Sequence, residues 1–433
     1  MKEVTIIPKR LGGSLKIPPS KSMAYRAIIC AGLSKGNSII ENIEYSDDII
    51  ATINAMRALG VNIIEDKDRL IINGENIFSN DSRVIDCNES GSTLRFLMPI
   101  ALIKNGDSRF LGKGNLGKRP LKTYYDIFRK QGIAYTYAEG ILNTFVKGNL
   151  KADEFRVEGN ISSQFISGLL FALPLLDGDS KIVITTNLES RGYIDLTLFM
   201  LDKFGIKIEN LNYKEFRIKG NQSYKPFNYR VEGDYSQGAF FFAAGALGNN
   251  IVCYDLEEKS KQGDKEVLDI LENMCNTLIK EFKEDKKIGL SILSKDLKAS
   301  VIDASQCPDI IPIIGVVASV AKGETRITNG ERLRIKECDR LSAIATELKT
   351  LGADIKETDD GLIINGVKNL KGGKVSSHND HRIAMSLAIA STVCIGNVVI
   401  DNGECVKKSY PNFWSDFESL GGKIELVGIF EKR

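Results

Sequence analysis

The sequence predicts an α/β protein of two similar domains, each made of three repeated units. The chain has 433 residues, which is too long for one ordinary hydrophobic core, and its 43% hydrophobic content is enough for two. A helix-like apolar pattern that ends in a small residue and continues into a short β-branched stretch recurs through the chain. The small residues lie about 70 to 77 positions apart and are Gly60, Gly132, Gly205, Cys275, Gly352 and Gly421.

Each of these junctions is predicted to be the end of a helix. Glycine is favoured at the position where a left-handed residue ends a helix before an extended segment. Stretches such as "LIING" and "KIVITTN" read as strands, so each unit mixes helix with strand. Helix-glycine-strand junctions also occur in α/β proteins without repeats, and the fourth junction, "LENMCNTLI", fits the pattern least well.

A domain boundary is predicted near "NQSYKPFNY", where polar residues, the preceding Gly220 and Pro226 interrupt the periodicity. Six units of about 72 residues then divide into two groups of three. A cleft between the two halves is the natural place for a ligand.

Charge and cysteine usage exclude several classes of protein. The 58 Lys and Arg residues nearly balance the 56 Asp and Glu residues, so the net charge of +2 does not favour nucleic acid or an acidic membrane surface. The eight cysteines are scattered without CxxC pairs, which fits reduced thiols in the cytoplasm. The first ten residues lack an apolar core, and the apolar runs at 165–176 and 310–321 are shorter than a bilayer span, so neither an export signal nor a membrane segment is predicted.

Three predicted helix starts combine hydroxyls with free backbone N–H groups, and the first two also carry cations, a combination that suits a phosphate or a carboxylate. The segments are "IPPSKSMAYRA" with Lys21, Ser22 and Arg26, "NESGSTLRF" with Gly91, and "NISSQFISGLL" with Ser162, Ser163 and Gln164. Each segment alone is equally typical of an ordinary capped helix. Their repetition favours several helix N-termini around one anionic ligand.

Arginines in later polar segments add to this prediction, because a guanidinium binds carboxylate or phosphate through two parallel hydrogen bonds. They are Arg119 in "KRP", Arg340 in "RIKECDR" and Arg382 in "DHR". Alternating acids and bases in "RIKECDR" also fit a solvated helix face with local ion pairs. Asp309 in "CPDIIPIIG" enters an apolar stretch, where burial would change its pKa, although a helix cap explains it equally well.

The two histidines, His378 and His381, frame Asp380 in "SSHNDHRIAM". Two histidines without a further ligand cluster are weak evidence for a metal, so a helix start beside an anion site is favoured over a metal site.

Taken in order, these segments resemble the 5-enolpyruvylshikimate-3-phosphate (EPSP) synthase family from the N-terminal loop to the C-terminal tail. Further matching segments are "SRGYIDLTLFMLDKFG", "VEGDYSQGAFFFAAGAL" and "CVKKSYPNF". The resemblance implies two similar α/β domains, each of three βαβαββ-type units in an inside-out, barrel-like arrangement, with the active site in the interdomain cleft. It implies a first domain at 19–227, mainly for shikimate 3-phosphate binding, and a second domain of 1–18 and 228–433 completed by the N-terminal strand.

The resemblance also implies an activity, that of a 3-phosphoshikimate 1-carboxyvinyltransferase of the shikimate pathway, which leads to chorismate and the aromatic amino acids. Such an enzyme moves the enolpyruvyl group of phosphoenolpyruvate to the 5-hydroxyl of shikimate 3-phosphate by addition and elimination through a tetrahedral intermediate. The reaction needs general acids and bases but no metal or organic cofactor. A cytoplasmic monomer with small-molecule substrates, and with neither nucleic acid nor membrane as a partner, is expected.

The family's site residues carry over by position. Those implied for shikimate 3-phosphate are Lys21, Ser22, Arg26, Ser162, Ser163, Gln164, Ser190, Tyr193, Asp309 and Lys336. Those implied for phosphoenolpyruvate are Lys21, Gly91, Arg119, Gln164, Arg340, Arg382 and Lys408. Asp309 is the candidate for the 5-hydroxyl proton, and Lys21 and Glu337 are candidates for proton exchange at the methylene or the leaving phosphate.

Three positions depart from the family pattern and receive no role. Glu89 stands where the family often has Asn, Ser92 follows Gly91 where the family has Thr, and Arg332 stands where relatives often have Asn or Glu. Two alternatives share the fold: an enolpyruvyl transferase acting on UDP-N-acetylglucosamine, whose usual loop Cys is absent from "GKGNLGK", and a non-catalytic phosphometabolite-binding protein. A nucleic-acid-binding protein is disfavoured by the near-neutral charge.

Overall fold

Strands and helices alternate along the whole of the chain that the structure, a computed structural model, describes: residues 3–80, 82–104, 106–275, 280–284, 287–294 and 296–427. The first part of the chain contains β1 (Glu3–Ile7), β2 (Gly12–Lys16), α1 (Lys21–Leu33), β3 (Asn37–Glu41), α2 (Asp47–Ala58), β4 (Asn62–Asp66), β5 (Arg69–Asn73), β6 (Ser82–Asp86), α3 (Gly91–Ile100), β7 (Asp107–Leu111), α4 (Lys122–Gln131), β8 (Ala134–Ala138), β9 (Ile141–Lys147), β10 (Glu154–Val157), α5 (Ser163–Ala172), β11 (Ser180–Ile184), α6 (Arg191–Lys203), β12 (Ile208–Leu211), β13 (Glu215–Ile218) and β14 (Tyr229–Arg230).

The remainder continues the same alternation. It contains α7 (Tyr235–Ala246), β15 (Asn250–Tyr254), α8 (Glu266–Cys275), β16 (Lys280–Glu284), β17 (Lys287–Ser291), β18 (Val301–Asp303), α9 (Ile311–Ala318), β19 (Glu324–Thr328), α10 (Arg340–Thr350), β20 (Asp354–Glu357), β21 (Leu362–Asn365), β22 (Gly373–Val375), α11 (His381–Ala390), β23 (Val398–Ile400), α12 (Phe413–Ser419) and β24 (Lys423–Val427).

The predicted helix ends are confirmed at five junctions. Five of the six predicted small residues have a positive φ directly after a helix: Gly60, Gly132, Gly205, Gly352 and Gly421. Cys275 is the last residue of α8, while residues 276–279 of the same junction lie outside the described part of the chain.

In the described part of the chain, six four-stranded sheets with one common topology confirm the predicted repeat. Their strand orders are β14-β3-β5-β4, β6-β7-β9-β8, β10-β11-β13-β12, β16-β17-β15-β2, β18-β19-β21-β20 and β22-β23-β1-β24. In each sheet one edge strand pairs in parallel with its neighbour, and the other pairings are antiparallel. A parallel pair with a helical crossover followed by a hairpin is the βαβαββ unit.

Two units are distinguished by their internal contacts. The first comprises the residues up to Ser20 together with those from Glu232 onward, and the second comprises Lys21–Val231. We call them the split unit and the central unit. In the split unit, β1 and β2 complete sheets whose other strands come from beyond residue 232, and in the central unit β14 pairs with β3.

The core of each unit is built on helices that have no polar face. Every residue of α7, α9 and α11 in the split unit is buried, and these three helices pack against one another. In the central unit, α3 is buried at nine of its ten positions and packs against α5. A helix that is apolar all round must be covered on every side. The helices therefore lie inside and their polar starts become the chemically distinctive ends.

Asn249 fixes the N-terminal segment within the split unit. Its side chain is 1% exposed, its Oδ1 accepts a hydrogen bond from Leu11 N at 2.7 Å, and its Nδ2 donates to Ala244 O at 2.8 Å. Both backbone groups would lose their side-chain partner in an Asn249→Ala variant.

We therefore expect Asn249→Ala to lower the free energy of unfolding by about 1–3 kcal/mol, since the buried N–H of Leu11 would be left unsatisfied, while Ala244 O keeps its bond from the Asn249 backbone N–H. Urea denaturation followed by circular dichroism measures this. The neighbouring exposed Asn250 provides the matched control, and Asn250→Ala should change stability by less than about 0.5 kcal/mol. Equal effects of the two variants would contradict this account of Asn249.

Candidate active site

In the central unit, the predicted site residues lie at helix starts. Lys21 begins α1, Gly91 begins α3 and Ser163 begins α5. Ser190 precedes α6 in a left-handed conformation, with φ 53° and 1% exposure. A non-glycine residue rarely adopts this conformation, and it recurs at ligand-binding sites.

Arg26 connects the starts of α1 and α6. Its side chain is 2% exposed, and its Nε donates to Thr197 Oγ1 at 2.9 Å. Its two terminal nitrogens donate to the backbone carbonyls of Ser22, at 2.7 Å, and Tyr193, at 2.8 Å. Burial lowers the pKa of the Arg26 guanidinium to about 10, so the group is still a cation at neutral pH.

A second group of side chains joins α3 to α5. Gln164 donates from Nε2 to Ser92 Oγ at 2.9 Å and accepts at Oε1 from Arg95 at 2.7 Å. A Cβ placed on Gly91 would lie 2.9 Å from a terminal nitrogen of Arg119 and 3.4 Å from one of Arg95. Glycine at position 91 therefore lets two guanidinium groups approach the backbone at the start of α3.

The remaining central-unit residues cap helices or lie at their first turn. Ser162 caps α5 by accepting from Gln164 N at 3.3 Å, and both Ser162 and Ser163 are buried. Lys21 forms an ion pair with Asp48, a buried residue in the first turn of α2, with 2.8 Å between Nζ and Oδ2. The predicted residues thus gather at neighbouring helix N-termini, where backbone dipoles favour an anion.

In the split unit, Arg340 is the centre of an ion-pair network. Its side chain is 2% exposed and its nitrogens lie 2.8 Å from Asp309 Oδ1, 2.7 Å from Glu337 Oε2 and 2.7 Å from Asp380 Oδ2. Asp380 also caps α11 by accepting from Arg382 N at 2.8 Å. The ion-pair interpretation of "RIKECDR" is therefore correct for Glu337 and Arg340, in a buried rather than a solvated setting.

Asp309 lies among three cations. Lys336 Nζ is 3.3 Å from its Oδ1, Arg340 is 2.8 Å from the same oxygen, and Arg382 is 3.4 Å from its Oδ2. Burial acts to raise the pKa of Asp309, but the charges of Lys336, Arg382 and Arg340 outweigh it and hold the pKa well below the usual range. Asp309 is therefore a carboxylate at neutral pH. Burial also lowers the pKa of Lys336.

Lys408 is buried at the end of a 3-10 turn, Gly403–Lys408, that packs against α11. The N-terminal turn of the same helix carries Arg382, which is 4% exposed and donates to Ser236 O at 3.4 Å. Two of the predicted phosphoenolpyruvate residues are thus placed by α11 and by the turn that packs on it.

One of the two histidines contacts a carboxylate, and the other is buried in a helix. His378 Nε2 lies 2.7 Å from Glu347 Oε1, and His381 is buried in the first turn of α11. Within the described residues, no group of three or more His, Cys, Asp or Glu side chains is arranged to hold a metal ion. Nor does any described helix have the length and apolarity needed to cross a membrane.

The departures from the family pattern have structural partners. Ser92 accepts from Gln164, as described above. The Glu89 carboxylate packs against Gly114, since a Cβ on Gly114 would clash with Glu89 Oε1 and lie 2.7 Å from its Cδ. Arg332 is buried in the 3-10 turn Glu331–Ile335, and its charge contributes to lowering the pKa of Lys336.

Sequence reasoning missed three residues of the site: Asp48, Arg95 and Asp264. Arg95 lies one helical turn after Gly91, and this i, i+4 spacing was the available signal. Asp48 and Asp264 carried no such signal, because each comes near the site from another segment of the chain. Asp264 accepts a hydrogen bond from Ser236 Oγ and is 2% exposed.

Fold and site together define a class of protein: repeated α/β units whose buried helices present cations, hydroxyls and backbone N–H groups to small, multiply anionic molecules. The comparisons with known proteins specify the family. The family described as "EPSP synthase (3-phosphoshikimate 1-carboxyvinyltransferase)" matches residues 6–417. The chain therefore belongs to the EPSP synthase family.

Relatives and solved structures agree with this assignment. A 3-phosphoshikimate 1-carboxyvinyltransferase of Clostridium perfringens (strain 13 / Type A) is 66% identical over 98% of this chain and 99% of its own. One from Clostridium beijerinckii is 60% identical over the whole of both chains. The structure of EPSP synthase from Acinetobacter baumannii has a TM-score of 0.82 and 26% identity, covering 99% of this chain and 100% of that one.

Asp264 should give stability a specific pH dependence. Burial raises its pKa to about 6, with a further contribution from the charge of Asp309. The pKa of Asp264 in the unfolded chain is about 3.9. At pH values between this pKa and the raised one, the folded protein binds the Asp264 proton more tightly than the unfolded chain does. The contribution of Asp264 to the free energy of unfolding therefore falls as the pH rises through this window.

We compare the free energy of unfolding of the wild type with that of Asp264→Asn. The wild-type value minus the variant value should decrease by about 2–3 kcal/mol between pH 4 and pH 6.5. Urea denaturation at several pH values measures the difference. The exposed Asp354 supplies the control for removing a carboxylate from the same unit, and the pH dependence should be larger for Asp264→Asn than for Asp354→Asn. A constant difference for Asp264→Asn would contradict the raised pKa.

Proposed function

We propose that the protein transfers the carboxyvinyl group of phosphoenolpyruvate to the 5-hydroxyl of shikimate 3-phosphate and releases phosphate. The observation that carries the proposal is the family match over residues 6–417, within which all the predicted site residues lie. Relatives with 52–66% identity bear the name 3-phosphoshikimate 1-carboxyvinyltransferase. Enolpyruvyl transfer to this acceptor is a step of the shikimate pathway.

Shikimate 3-phosphate is assigned mainly to the central unit. Its proposed ligands there are Lys21, Ser22, Arg26, Ser162, Ser163, Gln164, Ser190 and Tyr193. Arg26 supports this assignment because its three hydrogen bonds all go to neutral oxygens, so no carboxylate cancels its charge through them. A buried, ordered cation among helix N-termini is suited to a phosphate group.

Phosphoenolpyruvate is assigned to residues of both units: Lys21, Gly91, Arg119 and Gln164 from the central unit, and Arg340, Arg382 and Lys408 from the split unit. Gly91 supports the central-unit part, because guanidinium nitrogens of Arg95 and Arg119 approach it closely. Arg382 and Lys408 are both almost fully buried, so a bound anion would interact with them at a low local dielectric.

The reaction is assigned as addition followed by elimination. The 5-hydroxyl oxygen bonds to C2 of phosphoenolpyruvate while a proton adds to C3, and the C2–O bond to phosphate then breaks as a proton leaves C3. Asp309 is proposed to take the hydroxyl proton because it is an ionised carboxylate at neutral pH, although the three cations that keep it ionised also weaken it as a base. Lys336 is proposed to orient a ring hydroxyl beside it.

Lys21 and Glu337 are proposed to exchange protons at the methylene carbon or at the leaving phosphate. Each is held by an ion pair, Lys21 with Asp48 and Glu337 with Arg340. An ion pair fixes the position of a side chain, and a fixed position is what proton transfer in a transition state requires. The cations around phosphoenolpyruvate would stabilise the charge that develops on the departing phosphate.

The location and assembly of the protein are also proposals. All eight cysteines are free thiols, and six of them are buried. Free cysteines in this number are typical of a reducing compartment, which supports the cytoplasm. A monomer is proposed because one chain carries the proposed binding residues for both substrates.

Phosphate release tests the activity directly. Purified, metal-free protein is mixed with phosphoenolpyruvate and shikimate 3-phosphate, and in parallel with phosphoenolpyruvate and UDP-N-acetylglucosamine. We expect release with shikimate 3-phosphate alone. Release with the nucleotide sugar alone would assign the chain to the other transferase, and no release with either acceptor would favour a binding protein.

The role of Asp309 is tested with Asp309→Asn, which keeps the shape of the side chain and removes its ability to accept a proton. We expect kcat to fall by about 10²–10⁴, the usual contribution of a general base. Asp354→Asn is the control for removing a carboxylate from the same unit and should leave kcat unchanged. A raised KM with normal kcat would mean that Asp309 only binds substrate.

A further inference from the structure

The segment that carries Arg119 is a short turn that packs against β9 and against the segment before α3. Residues Gly114–Lys118 form a 3-10 turn, and Arg119 follows it with its N–H bonded to Leu116 O at 3.2 Å. Both Lys113 and Lys118 are exposed. A turn of this kind needs external contacts if Arg119 is to be held in one position.

Besides β9, the segment before α3 supplies such contacts. Lys113 N donates to Asn88 O at 2.7 Å, and the Glu89 side chain packs against Gly114. Gly114 has φ +55°, and a Cβ there would clash with the Glu89 carboxylate. The same segment continues to Gly91, beside which the Arg119 guanidinium lies.

We propose that Glu89 is a positioning residue that holds the Gly114–Lys118 turn and thereby sets the position of Arg119 for phosphoenolpyruvate. Glu89 and Arg119 thus act on opposite ends of one turn. The carboxylate of Glu89 contacts the start of the turn rather than the substrate. Gly114 is the complementary element, because only a residue without a Cβ leaves room for the carboxylate. The role in phosphoenolpyruvate binding rests on the proposed function, whereas the contact itself does not.

Two alanine variants separate the effect of the contact between Glu89 and Gly114 from the effect of backbone strain. Gly114→Ala introduces both left-handed strain and a clash with Glu89. Gly132→Ala is the matched control, because Gly132 has φ +68° and its Cβ would meet nothing within 4 Å. We expect Gly114→Ala to raise KM for phosphoenolpyruvate at least about tenfold, since a displacement near 1 Å can cost about 10²-fold in activity.

KM for shikimate 3-phosphate should stay near the wild-type value in Gly114→Ala, because the proposed ligands of that substrate lie on other segments. Gly132→Ala should leave both KM values unchanged. Glu89→Ala should raise KM for phosphoenolpyruvate, and Glu89→Gln, which keeps the shape of the side chain, should largely restore it. A structural defect of the whole unit would instead change both KM values and the unfolding midpoint.

A double-mutant cycle shows whether Glu89 and Gly114 act through one contact. The combined variant, with Glu89→Ala and Gly114→Ala, should have a KM for phosphoenolpyruvate no higher than the worse single variant, because the clash is gone. Additive effects of the two substitutions would overturn the proposal. So would a Gly114→Ala variant whose KM values match those of Gly132→Ala.

Limited proteolysis gives a readout that does not depend on activity. Trypsin cleaves after lysine, and we expect faster cleavage after Lys113 or Lys118 in Glu89→Ala and Gly114→Ala than in the wild type or Gly132→Ala. Unchanged cleavage in both would overturn the proposed contact. If the wild type released no phosphate, the proposed function would fail, and this comparison alone would decide whether Glu89 holds the turn.

Discussion

The central constraint in this protein is that its core helices have no polar side. Helices α7, α9 and α11 are buried along their whole length, so they must be covered by other helices and by sheets. Only their ends reach a polar environment. Free N–H groups at a helix start need partners and favour negative charge. The packing that buries the helices therefore leaves their starts as the polar ends, where the carboxylates of Asp234 and Asp380 cap α7 and α11.

The two units meet this constraint with different charge arrangements. In the split unit, the buried cation Arg340 is balanced by Asp309, Glu337 and Asp380, as a charge in a low dielectric requires. The balance keeps Asp309 ionised and lowers its affinity for a proton. In the central unit, Arg26 donates hydrogen bonds to neutral oxygens, an arrangement that suits a cation for binding an anionic ligand. The two buried arginines thus lie in different local environments.

Much of the fold could be predicted because local sequence patterns indicate the repeat. Five glycines at nearly regular intervals mark helix ends, and the structure gives each a positive φ. The anion-binding character of the helix starts was also visible, since hydroxyls, cations and apolar runs stand next to one another in the chain. Arg95 was missed although it lies one turn after Gly91, because an arginine inside an apolar helix does not by itself indicate a ligand.

By itself, the sequence determined the six-unit α/β architecture, the helix starts and the family, because these depend on residues close together along the chain. Only the tertiary structure decided which charges meet. Asp48 pairs with Lys21, Asp264 accepts from Ser236, and Glu89 packs against Gly114 across distances of 25 to 28 residues. Such contacts depend on how buried elements pack, and packing is fixed by the whole core rather than by any local pattern.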